Sequence, residues 1–195
     1  EQAQVAGVQN VTALQRHGEL VDSIVDMQED TRLIIIGRCG KGHTDNVSAL
    51  GSNIETLLRK AENPVLLIPE AFKAPVSFMI AYDGREAADK ALQRIIDGGL
   101  LHGLQCHLVS VKNNEANLKE KFTSAQQKLE AKGFDVIASY IEGNIHDSLM
   151  AYQKTNQIEL TVMGAFGHSK LRQFFVGSNT MKMLEHSKIP LIVLR

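Results

Sequence analysis

Three glycines and a serine form the pattern in this sequence that is best suited to chemistry. Gly164 and Gly167 follow an apolar run, and nine residues separate Gly167 from Gly177-Ser178. Glycine lacks a Cβ atom, so the backbone can turn tightly and approach a ligand closely. Gly177-Ser178 also opens a predicted helix, whose free N–H groups and positive dipole end suit a phosphate. The pattern therefore predicts a phosphate-binding loop; an ordinary strand-to-helix turn with Ser178 as its N-cap is the alternative.

A carboxylate is predicted to face this loop. The apolar run 76–82 predicts a strand that ends at Asp83-Gly84, and the run 159–164 predicts the strand before the glycine loop. A carboxylate at the end of a strand could accept a hydrogen bond from a ribose hydroxyl or an adenine amine. Ligands in doubly wound sheets bind at the carboxyl ends of strands, where the strand order reverses. We therefore expect Asp83 and the glycine loop to line one site.

Strands and helices alternate through the second part of the chain, which is typical of an α/β fold with a parallel sheet. Helical spacing of apolar residues predicts helices over 85–103, 117–133, 145–156 and 178–187. Predicted strands cover 76–82, 105–111, 135–141, 159–164 and 190–195. Right-handed crossovers leave few topologies, and we expect a doubly wound, parallel, five-stranded sheet in the order 3-2-1-4-5. In that order the first and fourth strands are neighbours.

The glycine frame occurs twice in the chain. Gly37, Gly40 and Gly51-Ser52 have counterparts at Gly164, Gly167 and Gly177-Ser178, and the offset between matched landmarks drifts only from 125 to 127. This repeat predicts tandem units, with a complete unit at 72–195 and the back half of another at 1–71. Ten residues instead of nine separate Gly40 from Gly51, and the first copy has no counterpart of Asp83. We expect no strong site at Gly37–Ser52 unless another chain supplies the rest.

Each copy ends in an apolar strand, at 65–69 and at 191–195. Both would be edge strands in the expected order, and exposed apolar edges favour association. We therefore expect these two strands to pair antiparallel in a pseudo-dimer. Residues 1–15 would then lack intrachain strand partners, so we expect them to be irregular or to pair with another chain.

At this point the sequence resembles the universal stress proteins. Their nucleotide-binding members carry the spacing G-x2-G-x9-G followed by Ser or Thr, which the second frame matches, and "MIAYDGREAADKAL" (79–92) matches their first strand and helix. The resemblance implies a flavodoxin-like fold related to the adenine-nucleotide alpha hydrolases, and ATP as ligand, with Mg²⁺ or Mn²⁺ beside it in some members. Ala81 stands where a Pro is common. The resemblance implies that the nucleotide-binding residues are Ala81, Asp83, Val111, Met163, Gly164, Gly167, His168, Gly177, Ser178, Asn179 and Thr180.

Three functions fit these patterns. The first is a nucleotide-responsive regulatory module in stress resistance, the second a slow ATPase or phosphoryl transferase, and the third an interaction module with an empty pocket. His168 stands alone as a candidate base near the phosphates, so we assign no catalytic residue and expect at most weak hydrolysis. The histidines show no metal-ligand spacing, and Cys39 and Cys106 show no metal or disulfide pattern. A reducing, cytoplasmic setting is the expectation.

Charge and hydropathy bear on the partners. The net charge is −1, and no basic excess favours nucleic acid. No apolar stretch approaches the roughly 18 residues that cross a membrane. The expected partners are an adenine nucleotide and a second unit, in a homo-oligomer or a pseudo-dimer, and neither nucleic acid nor a membrane.

Overall fold

The computed structural model describes residues 2–38, 52–165 and 178–195, and these ranges form one seven-stranded sheet with helices on both faces. The strands are β1 Ile34–Gly37, β2 Val65–Ile68, β3 Ser77–Ala81, β4 Gln105–Val111, β5 Val136–Ile141, β6 Thr161–Gly164 and β7 Leu191–Leu194. The helices are α1 Gln2–Val5, α2 Leu20–Val25, α3 Ser52–Lys60, α4 Glu86–Gly98, α5 Leu118–Glu130, α6 Ile145–Thr155 and α7 Ser178–His186, with a short 3₁₀ turn at Gln28–Asp30.

The strand order is β1-β2-β7-β6-β3-β4-β5. Over the second part of the chain this is the predicted order 3-2-1-4-5, and the prediction is confirmed. All neighbours are parallel except β2 and β7. One predicted helix, 85–103, was too long. Gly99 adopts a left-handed φ of 64°, and such a residue ends a helix.

The predicted antiparallel pairing of the strands at 65–69 and 191–195 is also confirmed. Leu66 lies opposite Ile192, and the flanking pairs are Val65 with Val193 and Leu67 with Leu191. Leu66 and Ile192 are counterparts in the repeat, 126 residues apart, so a local two-fold axis passes between them. Equivalent backbone hydrogen bonds flank the axis, from Ile34 N–H to the Pro64 carbonyl and from Thr161 N–H to the Pro190 carbonyl.

The two faces of the sheet are covered unequally. Helices α2, α3, α6 and α7 contribute to one buried cluster, and α4 and α5 to the cluster on the other face. On the α4 side Val162 is fully buried, whereas its counterpart Ile35 is 60% exposed. The difference arises because the described residues include no counterpart of α4 over β1 and β2.

The segment before α2 is irregular. Residues 7–19 contain neither helix nor strand, and residues 3–20 are exposed. Val8–Leu14 does not pair with β1, as expected for a segment without strand partners, and the short α1 is the single helical turn in this region.

Candidate functional site

The predicted site residues that the structure describes gather where the strand order reverses. β3 and β6 are neighbours there, with Ala81 opposite Met163 in the register. Val111 ends β4, the strand on the other side of β3. Met163 and Val111 are buried, while Ala81 and Asp83 are partly exposed. The carboxyl ends of three adjacent strands therefore lie side by side at the point where doubly wound sheets form a ligand-binding crevice.

Asp83 is held in place by its own loop. Its Oδ1 accepts a hydrogen bond of 3.0 Å from the Arg85 backbone N–H, and its Oδ2 lies 3.7 Å from the Arg85 guanidinium. The Asn113 side-chain amide donates to the Asp83 carbonyl over 3.3 Å. The Asp83 side chain is 46% exposed. A carboxylate has about four acceptor positions, so Asp83 keeps capacity for hydroxyl or amine donors of a ligand.

Three charged residues, Arg85, Glu115 and Lys121, lie beside Asp83 on the β4 side of the crevice. No sequence pattern predicted that they would meet. Arg85 lies 3.5 Å from Glu115, and Lys121 donates to Glu115 over 2.8 Å and to the Gly84 carbonyl over 2.9 Å. The Lys121 hydrogen bond, helped by the charges of Lys121 and Arg85, lowers the pKa of Glu115. Arg85 follows β3, and Glu115 and Lys121 follow β4. The presence of charged residues after both strands was the sequence signal that could have predicted this cluster.

Gly164 has a packing role that the sequence did not reveal. A Cβ atom there would lie 2.4 Å from the backbone carbon and oxygen of Ala87 and 2.7 Å from the Ala88 nitrogen. The end of β6 and the first turn of α4 therefore touch backbone to backbone. The glycine spacing predicts close approach of a ligand at Gly164, and packing against α4 requires glycine there as well.

The phosphate side is described only from Ser178 onwards. Gly167, His168 and Gly177 lie outside the described residues, as do Gly40 and Gly51 of the first frame. Helix α7 begins at Ser178, as predicted, and Asn179 and Thr180 in its first turn are partly buried. A helix N-terminus therefore follows the glycine loop.

A partly buried polar cluster lies around His107, between β4, β5 and α6. His107 Nδ1 lies 3.0 Å from the Tyr152 hydroxyl, which lies 3.0 Å from Ser139 Oγ. Burial lowers the pKa of His107, so its imidazole is neutral near pH 7. Burial also raises the pKa of the Cys106 thiol to about 12, which leaves it a poor nucleophile.

Two further features bear on the chemistry of the described ranges. No three metal-ligating side chains converge there, and no helix there is long and apolar enough to span a bilayer.

The comparisons with known proteins agree on one family. The model of the universal stress protein family matches residues 1–69 and 110–195. Universal stress protein Slr1230 from Synechocystis is 31% identical over 194 residues, which is 98% of this chain and 68% of that protein. A solved universal stress protein from Archaeoglobus fulgidus has a TM-score of 0.77 at 21% identity and covers 98% of this chain, which spans 73% of that one. A universal stress protein solved in complex with cAMP has a TM-score of 0.51 at 17% identity. The match covers 63% of this chain and 98% of the chain of that protein.

Proposed function

The chain belongs to the universal stress protein family, and from this premise we propose that it binds ATP in the crevice between β3 and β6. The observation that carries the proposal is that β3 and β6 are adjacent parallel strands. Asp83 follows β3, and the glycine loop that leads to the N-terminus of α7 follows β6. A protein of similar fold has been solved with cAMP, which is an adenine nucleotide. We infer a regulatory module, in which bound nucleotide biases an assembly or a partner interaction in stress resistance.

Each part of the crevice suits one part of the nucleotide. Ala81 and Val111 provide apolar surface for the adenosine, and Asp83 accepts hydrogen bonds from the ribose hydroxyls or the adenine amine. On the phosphate side, the loop with Gly167, His168 and Gly177 precedes the helix start, where N–H groups favour anionic oxygen. Mg²⁺ would be held mainly by the phosphates, as is usual for this ion.

Titration calorimetry with ATP tests the proposal. Asp83→Asn keeps an oxygen that can accept the Arg85 N–H and so preserves the loop, but it removes the charge. We expect at least about a tenfold loss of affinity, since a hydrogen bond to a charged group is worth roughly 1.5–3 kcal/mol. Asp97→Asn is the matched control, because Asp97 lies at the far end of α4 and is exposed. ATP binding by D83N within a few-fold of the parent, or a preference for NAD over ATP, contradicts the proposal.

A second variant addresses the glycine frame. Gly177→Val places a branched side chain where the phosphates would lie and disfavours any left-handed backbone geometry. We expect loss of ATP binding with a parental circular dichroism spectrum. Retained binding would mean that the frame is only a turn.

We also propose that residues 1–71 and 72–195 are two units related as a pseudo-dimer. Three observations support this: the local two-fold axis at Leu66 and Ile192, the separate matches of the family model to 1–69 and 110–195, and arginine contacts between the halves. Arg38 donates to the Ser187 carbonyl after α7, and Arg195 donates to the Arg59 carbonyl in α3 over 2.6 Å. Basic side chains at helix C-termini satisfy free carbonyls and oppose the dipole.

Expressing residues 72–195 tests the pseudo-dimer. With β2 removed, β7 becomes an exposed apolar edge, and we expect a homodimer by analytical ultracentrifugation. Ile192→Lys in the same piece should give a monomer. A stable monomer without that substitution would refute the proposal.

A further inference from the structure

Two histidine side chains converge where α6 and α7 meet. His146 is in the first turn of α6, and His186 is the last residue of α7. His146 Nε2 lies 3.1 Å from His186 Nδ1, with the ring centres 5.0 Å apart and the ring planes inclined by 70°. One nitrogen of each ring therefore faces the other across the helix junction.

The distance between these two nitrogens suits two ligands of one metal ion. Zn²⁺ binds an imidazole nitrogen at about 2.0–2.1 Å, so two such ligands at a tetrahedral angle lie about 3.3 Å apart. The observed 3.1 Å agrees to within about 0.2 Å, the tolerance appropriate to a proposed metal site. Imidazole nitrogen is a preferred ligand of Zn²⁺, Cu²⁺ and Ni²⁺. The geometry of the pair is therefore that of neighbouring ligands of a transition metal.

The other nitrogen of His146 has the partner that a metal-bound histidine usually has. Its Nδ1 lies 2.9 Å from Asp147 Oδ1. A carboxylate can only accept, so Nδ1 carries the proton and Nε2 has a lone pair to offer. Donation of the second N–H to a carboxylate fixes the tautomer of a metal-bound histidine and raises its basicity. The contact with Asp147 thus prepares His146 Nε2 as a ligand atom.

The junction combines a fixed ligand with an accessible one. The His146 side chain is 12% exposed, whereas His186 is exposed. Met183 and Leu184 of α7 are fully buried in the cluster that also contains Leu149 of α6. The packing of the two helices therefore keeps the rings together without an ion, and an ion has access from the side of His186.

The first copy of the repeat has a positive charge at the corresponding junction. Lys60 Nζ, at the end of α3, lies 2.7 Å from Asp22 Oδ1 in the first turn of α2. In the repeat, Lys60 corresponds to His186, and Asp22 corresponds to Asp147. A side chain supplies the cation beside this aspartate in one copy, whereas the other copy places two imidazole rings there.

We propose that His146 Nε2 and His186 Nδ1 bind a divalent transition-metal ion such as Zn²⁺, and that Asp147 positions His146 for it. The ion replaces the proton that His186 Nδ1 donates to His146, and His186 then carries its proton on Nε2. These histidines are the two protein ligands among the described residues, and water completes the coordination. A structural zinc site has four protein ligands, so we expect exchangeable binding. The inference does not depend on the nucleotide crevice.

Calorimetric titration of the metal-free protein with ZnCl₂ tests the site. We expect about one bound ion per chain and at least about a tenfold loss of affinity in His186→Gln, because one protein ligand then remains. Asp147→Asn keeps an acceptor but removes the charge and should lose about tenfold. His102→Gln is the matched control, because His102 stacks on Phe134, and it should bind as the parent does. Equal Zn²⁺ affinity in the parent and H186Q overturns the proposal.

Two further measurements identify the ligand atoms and guard against misfolded variants. Long-range ¹H–¹⁵N spectra of the imidazole rings distinguish Nδ1 from Nε2, and Zn²⁺ should shift Nε2 of His146 and Nδ1 of His186. Zn²⁺-induced shifts confined to other histidines refute the site. In urea denaturation, excess Zn²⁺ should raise the midpoint of the parent and of H102Q but not of H186Q, since a ligand of the folded state stabilises it by mass action. Equal stabilisation of H186Q contradicts the proposal.

Discussion

Replacing Gly164 with alanine should destabilise the protein, although the change adds only one methyl group. The new Cβ would lie 2.4 Å from the carbon and oxygen of Ala87 and 2.7 Å from the Ala88 nitrogen. Ordinary contacts between such atoms begin near 3.4 Å, so the overlap is about 1 Å. The atoms in the way belong to the backbone of α4. They cannot rotate aside as a side chain would, and the helix must move away from β6 as a whole.

The size of the effect follows from this geometry. Overpacking of a filled interior costs roughly 1–3 kcal/mol, and we place G164A at about 3 kcal/mol because no side-chain rotation relieves the overlap. In a protein of this size 1 kcal/mol lowers Tm by about 2–4 °C, which gives a decrease of about 6–12 °C. Gly98→Ala is the matched control. Gly98 is the last residue of α4, and a Cβ there meets no atom within 4 Å, so alanine should be neutral or stabilise by up to about 1 kcal/mol.

Urea denaturation and ATP titration of both variants distinguish the two roles of Gly164. If packing is its main role, G164A loses stability, and G98A does not. If Gly164 served only the approach of a ligand, G164A would keep the parental stability and lose ATP binding. A G164A protein within about 1 kcal/mol of the parent would refute the backbone contact between β6 and α4, since overlap of this kind costs more.

Three further substitutions test other parts of the structure. Ile192→Ala should cost about 3 kcal/mol and Leu66→Ala about 1 kcal/mol in urea denaturation, because Ile192 is fully buried on the α4 side and Leu66 is only partly buried there; equal costs would contradict the unequal covering. Tyr82→Phe removes the hydroxyl that donates to Asp89 over 2.6 Å and should cost about 1 kcal/mol by the same measurement. His107 has a pKa lowered by burial from its ordinary 6.5, so unfolded chains bind more protons below that pH. The free energy of unfolding should therefore fall as pH drops from 6.5 through the lowered folded value, and His107→Gln should flatten this part of the curve.

The strand order over residues 72–195 could be predicted because local signals agree with the global fold. Apolar strands of four to seven residues alternate with helices, and right-handed crossovers then allow few arrangements. The antiparallel pairing of β2 with β7 was predictable for a related reason. Both strands are apolar on both faces and both would otherwise be open edges.

The features that were not predicted share a physical cause, because each depends on contacts between residues that are distant in the sequence. The cluster of Arg85, Glu115 and Lys121 depends on side chains that meet across two loops, and no local pattern records such a meeting. The His146–His186 pair joins two helices 40 residues apart, and its members have no common periodicity. The packing role of Gly164 against α4 was not predicted, because sequence spacing cannot distinguish room for a ligand from room for a helix.

The two copies of the glycine frame differ in their surroundings. A binding site at the end of a strand requires a second strand beside it. β6 has β3 beside it, which brings Asp83 to the frame at Gly164. β1 pairs with β2 on one side, and no described strand pairs with its other edge. The frame at Gly37 therefore has no facing carboxylate among the described residues. We therefore propose that the two glycine frames are not equivalent sites, and we expect ATP to bind at the frame that adjoins β3.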